Sequence, residues 1–408
     1  MNDDKKRTNK KNIYKKADAA KKFELLKDTS AAPEIPYEPS LKKKYQQGLE
    51  QLQRAQVLDK AHLIEPQKPS KLLGYRTHAA LRVRKSADPK QPFEIGAFKP
   101  KERNLIDISA CPLHKESIGS IIRDIKELIP ETTMQPYDSS NQTGDLKYVA
   151  IRAAHLTEEI MLTFVVSKDG FKKELRNLVK ELKQREHQIS TAYLNINSHN
   201  GDLIFGDESK HIAGSQRLRE RISDFNFEIG PTSFFQVNPW TAESMYRRIE
   251  QLVGYGNQDV AWDLYSGIGQ ISLILSRAGF RVLGVEANPQ SVRDAQNNVS
   301  RNFEENLPQF QPGKVEDLKD LFPTWSLNPR VIVANPPSMG LEASALEFIA
   351  DKMHSLEDTD LIYMSCNAES LASDMQAFQN RGLNLKQLEA YDMFPYTEKM
   401  DWIAVIKT

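Results

Sequence analysis

The sequence predicts an α/β chain: a doubly wound, mostly parallel sheet in its C-terminal part, preceded by an α+β domain and a basic N-terminal extension. Three observations lead there. From about Phe227 onward, short apolar strands alternate with helical stretches, the pattern of a parallel sheet with crossover helices. Between about Leu72 and Asn226, strand-like runs follow one another with few helices between them, which suits an antiparallel α+β arrangement. Residues 1–30 carry ten Lys/Arg against five Asp/Glu and lack apolar periodicity until Phe23 and Leu25. The chain therefore reads as three segments, 1–71, 72–226 and 227–408.

A chain of 408 residues has room for two domains. Its 39% hydrophobic and 27% charged residues suit a soluble globular protein. It holds no apolar run of about 18 residues, so no membrane span is expected. Its Lys-rich start lacks the apolar core of a secretory signal, and a cytoplasmic location is expected. Cys111 and Cys366 are the only cysteines. Two cysteines make neither a disulfide framework nor a Cys-only zinc site, and no metal site is expected. The net charge is zero, so the remainder of the chain balances the excess of five positive charges in residues 1–30. The runs Lys5-Lys6-Arg7, Lys15-Lys16 and Lys21-Lys22 read either as a solvated tail or as a phosphate-binding arm. The second reading requires a nucleic-acid partner.

Taken in order, a Pro-containing linker spans about Ala31–Pro39, and Leu41, Tyr45, Leu49 and Leu52 then recur at helical spacing. A loop with two prolines follows at Glu65–Lys71. In the middle segment, strands are predicted at Leu81–Val83, Phe93–Phe98, Tyr148–Arg152, Ile160–Val166 and Tyr193–Ile196. Helices are predicted near Glu116–Leu128 and Phe171–Lys183, and Asn200-Gly201-Asp202 is a hairpin signal between two strands. In the C-terminal segment the strands are Val260–Tyr265, Arg281–Glu286, Val331–Asn335, Leu361–Cys366, Ala390–Phe394 and Ile403–Ile406. Such a sheet binds ligands beyond the carboxyl ends of its strands.

The chemistry-bearing residues gather at those ends. Asp263-Leu264-Tyr265-Ser266-Gly267-Ile268-Gly269 joins the first strand to a helix, and Gly267 and Gly269 let backbone approach a ligand. The next strand ends in Glu286, where an acid can accept hydrogen bonds from ribose hydroxyls. A dinucleotide fingerprint needs a third glycine where Ser272 stands. Asp263 before Gly-x-Gly suits instead a cofactor with a cationic group and no pyrophosphate, as in S-adenosylmethionine. A plain tight turn is the alternative. Asn335-Pro336-Pro337 ends a third strand and leaves the Asn side chain facing the site; an edge-strand stop is the alternative. Ser365-Cys366-Asn367 ends a fourth. A buried cysteine is usually a small hydrophobe, but a thiolate at this position could add to an electron-poor pyrimidine.

Together with Ser233-Phe234-Phe235-Gln236-Val237-Asn238, Gly284-Val285-Glu286 and Asp392-Met393-Phe394-Pro395, these motifs resemble the bacterial RNA uracil-C5 methyltransferase family, in character closest to its 23S ribosomal RNA branch. The similarity spans about 227–408 and reaches back weakly through Gly144-Asp145-Leu146-Lys147-Tyr148, Cys111-Pro112-Leu113 and Gly74-Tyr75-Arg76. It implies a Rossmann-like class I methyltransferase sheet. It also implies S-adenosylmethionine binding by Gln236, Tyr265, Glu286 and Asn335, and Cys366 as nucleophile toward C6 of a flipped uridine. The 72–226 domain would hold RNA, with Arg76 as a candidate contact. A monomer acting on 23S rRNA is expected.

The sequence departs from the family in four places. Three N-terminal cluster cysteines are lacking, so no iron–sulfur cluster is expected, and Cys111 alone matches the fourth ligand. Ser338-Met339 replace basic residues. Ser266 replaces a common cysteine. Asp401 stands at the family's catalytic glutamate, with Glu398 as the neighbouring candidate. Two other functions stay open: an amino-group methyltransferase acting on adenine or cytosine, which would want an aromatic at Ser338, and a non-catalytic RNA-binding or ribosome-assembly protein.

Overall fold

The computed structural model describes residues 36–59, 61–88, 91–98, 104–199, 203–321, 328–356 and 358–408. The basic extension of residues 1–30 and the Asn200-Gly201-Asp202 signal lie outside them. The chain forms two units. One holds Leu72–Leu218; the other joins Glu38–Lys71 to Arg219–Thr408. The sequence division, which set 1–71 apart and began the last segment at 227, differs from this in both places.

Two early elements explain the first difference. Helix α1 (Tyr37–Arg54) buries Leu41, Lys44, Gly48 and Leu52. Strand β1 (His62–Gln67) pairs in parallel with β16 (Asn384–Tyr391). The two prolines of Glu65–Lys71 predict a loop. Pro66 is tolerated because β1 is an edge strand, where a missing N–H costs no ladder bond, and the register shifts between Ile64 and Gln67.

In the first unit, β2 (His78–Lys85) buries Ala79, Leu81 and Val83 in period-two alternation. It is followed by β3 (Phe93–Phe98), β4 (Leu105–Ile106), α2 (Glu116–Leu128), β5 (Leu146–Ala153), β6 (Ile160–Val166), α3 (Lys172–Gln184), β7 (Ile189–Ile196) and β8 (Glu208–Gly214). The sheet order is β4-β3-β2-β5-β6-β7-β8. β5 and β6 are buried along their whole length, as central strands should be. The pairs are antiparallel except β6–β7. A parallel pair needs a crossover, and α3 supplies it, burying Leu175, Leu178, Val179 and Leu182. The expected antiparallel α+β domain thus contains one parallel pair among its described strands.

The second unit continues with the β9 (Leu218–Ile222) and β10 (Phe225–Ile229) pair, α4 (Pro239–Val253), β11 (Val260–Leu264), α5 (Gln270–Arg277), β12 (Arg281–Glu286), α6 (Pro289–Asn302) and β13 (Gln309–Pro312). Then come α7 (Leu318–Leu321), β14 (Pro329–Ala334), α8 (Ala343–Ser355), β15 (Asp360–Ser365), α9 (Ala368–Gln379), β16 and β17 (Asp401–Lys407). The order is β1-β16-β17-β15-β14-β11-β12-β13. The chain winds outward from β11 through β12 and β13, then from β14 toward the other edge. The switch point between β11 and β14 is where doubly wound sheets bind ligands. β17 inserts antiparallel between β15 and β16. The strand predicted at Ala390–Phe394 runs instead over Asn384–Tyr391, because the chain leaves the ladder at Asp392.

Candidate active site

Three strand ends form a row. Leu264 pairs with Val285 on one side and with Ala334 on the other. One step further, Tyr265, Glu286 and Asn335 stand level. The Asn335 N–H donates to the Leu264 carbonyl at 3.2 Å. The Glu286 carboxylate accepts the Gly267 N–H at 3.0 Å and the Asn288 N–H at 2.7 Å, one on each oxygen. Each oxygen keeps a second lone pair for another donor. Tyr265 sits at φ 62° and Gly267 at φ 56°, the left-handed region that a non-glycine residue visits at a cost. The Tyr265 hydroxyl is anchored on Glu316 Oε1 at 2.9 Å. A Cβ added at Gly267 would meet nothing within 4 Å, so this backbone faces open space.

Asp263 lies beneath the loop and is fully buried. The Ser272 hydroxyl donates to its Oδ2 at 2.5 Å, and among the described residues its Oδ1 has no hydrogen-bond partner. Burial pushes this carboxyl up to about 7; Glu286 adds to the shift and the Ser272 bonds oppose it. Gln236 is buried and bonds the hydroxyl of Tyr246, whose titration burial drives upward. Asn238 ties its motif to a distant loop: Oδ1 caps α4 through the Thr241 N–H, and Nδ2 donates to the Met393 carbonyl at 3.0 Å. A buried acid with an unpartnered oxygen, a glycine backbone open to ligand and a carboxylate at the β12 end fit a cationic nucleoside cofactor such as S-adenosylmethionine.

The thiol end is built across β15 and β17. Their antiparallel register pairs Ser365 with Trp402. One step further, Cys366 stands level with Asp401, where opposite residues have Cβ atoms about 5 Å apart. Cys366 is half-buried; burial and the Asp401 charge push its thiol up, and Lys399 pulls it down. Asp401 is 6% exposed and among the described residues has no partner for Oδ1. Burial pushes it up to about 7, with Asp392 adding to the shift while Lys399 and Lys44 oppose it. A cavity of about 590 Å³ opens beside Cys366, lined also by Ser338, Asn367, Glu398, Lys399 and the Gln47–Arg54 face of α1. Glu398 is an exposed wall residue, whereas Asp401 is not part of the lining. Asn367 caps α9 through the Glu369 N–H at 3.0 Å and donates to the Ser338 carbonyl at 3.0 Å. Ser338 holds this contact through its backbone, so the departure from basic residues leaves it intact.

The site residue that sequence reading missed is Lys44. It is 4% exposed and bonds Asp392, the Phe394 carbonyl at 3.1 Å and the Lys399 carbonyl at 3.2 Å. Its place between Leu41 and Gly48, at spacings of three and four on one helix face, was the available signal. Cys111 lies buried in the first unit, and Arg76, half-buried, lies in the same unit.

Residues 37–407 match the family described as tRNA (Uracil-5-)-methyltransferase. An RNA methyltransferase of Oceanobacillus iheyensis is 29% identical over 311 residues, covering 76% of this chain and 66% of that protein. One of Listeria monocytogenes is 31% identical over 317 residues, covering 76% and 67%. The chain thus spans about two thirds of the length of these curated relatives. The solved structure of Pyrococcus abyssi tRNA (uracil-54, C5)-methyltransferase in complex with S-adenosyl-L-homocysteine shares the fold. Its TM-score is 0.71 and its identity 24%, covering 91% of this chain and 82% of the other.

Proposed function

This chain belongs to the tRNA (uracil-5-)-methyltransferase family, whose members are S-adenosylmethionine-dependent RNA methyltransferases, and from that premise we propose that it methylates C5 of a uridine in RNA through a covalent bond from Cys366. The register that sets Cys366 level with Asp401 carries the reading: it supports a nucleophile and a base acting at one point of the sheet.

Glu286, Asn335, Gln236 and Tyr265 would hold S-adenosylmethionine, with Gly267 and Gly269 giving close backbone approach and Asp263 supplying a buried negative group. When bound, S-adenosylmethionine supplies an electrophilic methyl carbon on a sulfonium. The Cys366 thiolate adds to C6 of the ring, and C5 gains an electron pair; that pair would bond the methyl carbon as the carbon's bond to the sulfonium sulfur breaks and S-adenosylhomocysteine leaves. The Asp401 carboxylate then takes the C5 proton. The electrons of that C–H bond re-form the C5–C6 double bond, and the C6–S bond breaks, returning the thiolate. A carboxyl held near 7 is matched to proton transfer at neutral pH.

The motif pattern supports 23S rRNA as substrate, and the family description favours tRNA as the second reading. Mapping 5-methyluridine by mass spectrometry in both RNAs of a strain lacking the gene separates them. Loss from 23S rRNA supports the first reading and loss from tRNA the second. Loss of a methylated adenine or cytosine instead would sink uracil-C5 chemistry. The absence of cluster thiols supports a protein that purifies without iron; stoichiometric iron after anaerobic purification would contradict this.

A further inference from the structure

Lys44 donates to three acceptors on one stretch of chain, the connection from β16 to β17. Asp392 lies at its start, Phe394 in its middle and Lys399 near its end. An ammonium has three N–H donors, and all three are spent on this connection. One turn further along α1, a Cβ at Gly48 would sit 2.3 Å from the Trp402 ring, so the helix backbone lies directly against that side chain. Tyr45 stacks on the same ring, with centroids 5.9 Å apart. Trp402 follows Asp401 in β17. Helix α1 therefore grips the chain on both sides of Asp401, through polar bonds before it and through packing after it.

We propose that Lys44 is a positioning residue for Asp401, fixing the β16–β17 connection so that this carboxylate faces the ring bound to Cys366. The inference rests on the reading of Asp401 as the base. A lysine that only stabilised the fold would be expected to matter through one buried ion pair, often replaceable by apolar groups. The convergence of three donors on the stretch that delivers Asp401 is what a positioning role requires.

The charged and titratable groups around Asp401 give the test its sign. They are Lys399 from the connection, Asp392 from the end of β16, Lys44 from α1, Cys366 from β15 and Tyr246 from α4. Lys44 favours the Asp401 carboxylate and Asp392 disfavours it. Proton removal needs the carboxylate, so its rate rises with pH. Removing Lys44 should move that acid limb to higher pH, and neutralising Asp392 should move it to lower pH.

The experiment uses the full chain, with total RNA from a strain lacking the gene as methyl acceptor. Lys44→Met is expected to lower kcat by about 100-fold, the cost of an error near 1 Å at a reacting group, with KM unchanged. Its acid limb should rise by about one pH unit. Lys44→Arg keeps the charge and should leave the limb in place while lowering kcat, because a planar fork cannot serve three separated acceptors. An unmoved limb in Lys44→Met would overturn the inference. If that variant does not fold, Asp392→Asn decides: a downward shift supports the role and an unmoved limb overturns it. RNA transcribed with 5-fluorouridine, which has no removable C5 proton, tests the underlying reading separately. A wild-type protein that forms no covalent adduct with it would sink the roles of Cys366 and Asp401, and this inference with them.

Discussion

At the proposed cofactor end, Asp263, Tyr265, Gly267, Gly269 and Ser272 lie in one strand–loop–helix stretch, and Glu286 adjoins them from the next strand. At the thiol end, Lys44, Cys366, Asp392 and Asp401 come from α1, the end of β15, the β16–β17 connection and the start of β17, with Lys44 bonding a partner 348 positions away. The first end uses backbone N–H groups as its clamps, so it depends on loop geometry. The second uses buried charges, so it depends on long-range packing. The difference teaches that one site can have two kinds of fragility. A substitution at one end should leave the other measurably intact.

The largest expected effect tests that separation. Cys366→Ala should lower turnover on the order of 10⁴-fold or more, as for other covalent nucleophiles. S-adenosylmethionine affinity, measured by calorimetry, should not change. A parallel loss of cofactor binding would mean that the two ends are one cooperative unit.

Asp401→Asn comes next, with opposite effects on activity and stability. Turnover should fall by about 10²–10⁴-fold, and methylated RNA should stay bound to Cys366 on a denaturing gel, while Glu398→Ala should turn over nearly normally. Normal product release by Asp401→Asn would hand the role to Glu398. Stability should move the other way. The folded carboxyl titrates near 7 against the usual 3.8. Keeping it charged therefore costs nothing below about pH 4, and the cost grows through the window to 7 and is complete above it. Asp401→Asn removes that cost, so at pH 8 it should be more stable by roughly 2–4 kcal/mol, with little gain at pH 4. Urea unfolding at the two values reads this directly.

Glu286→Ala sharpens the comparison from the cofactor side. A carboxylate bonded to ribose hydroxyls contributes about 1.5–3 kcal/mol, so S-adenosylmethionine affinity should fall about tenfold or more. Unchanged affinity would remove Glu286 from the site.

The same division explains what was legible in the sequence. The alternation of strands and helices in the doubly wound sheet and the strand ends that carry the motif residues were readable because each depends on neighbours a few positions away. The β1 strand was not: its proline marks a loop, and only pairing with β16 makes it a strand. Lys44 sits in a Lys42-Lys43-Lys44 run, where its spacing from Leu41 and Gly48 marks it as the buried one, but its partner Asp392, 348 positions away, is set by packing that no local pattern shows. The pairing of Cys366 with Asp401 depends on the β15–β17 register, which is set by turns and packing far from either residue. Ser272 was readable as a departure from the dinucleotide fingerprint, but its bond to Asp263 was not.

That bond gives the smallest predicted effect and the most local. Ser272 is fully buried, and its hydroxyl is a donor to a carboxylate that titrates near 7. A hydrogen bond to a neutral acid contributes about 1 kcal/mol, and one to a charged acid about 1.5–3 kcal/mol. Ser272→Ala should therefore destabilise the fold by about 1 kcal/mol at pH 6, where Asp263 is mostly protonated. The loss should grow to roughly 1.5–3 kcal/mol at pH 8.5, where it is charged. The sign follows from the direction of the shift: the Ser272 bonds hold the Asp263 carboxyl down, so their benefit is greatest where the carboxylate exists. Because Asp263 lies beneath the glycine loop and not at the thiol end, 5-fluorouridine RNA should still trap Cys366 at the wild-type extent when S-adenosylmethionine is saturating. An equal loss of about 1 kcal/mol at both pH values would show that Asp263 stays protonated throughout, and the buried negative group assigned to the cofactor end would then have to be a neutral one; an equal loss of roughly 1.5–3 kcal/mol would show that it is charged throughout.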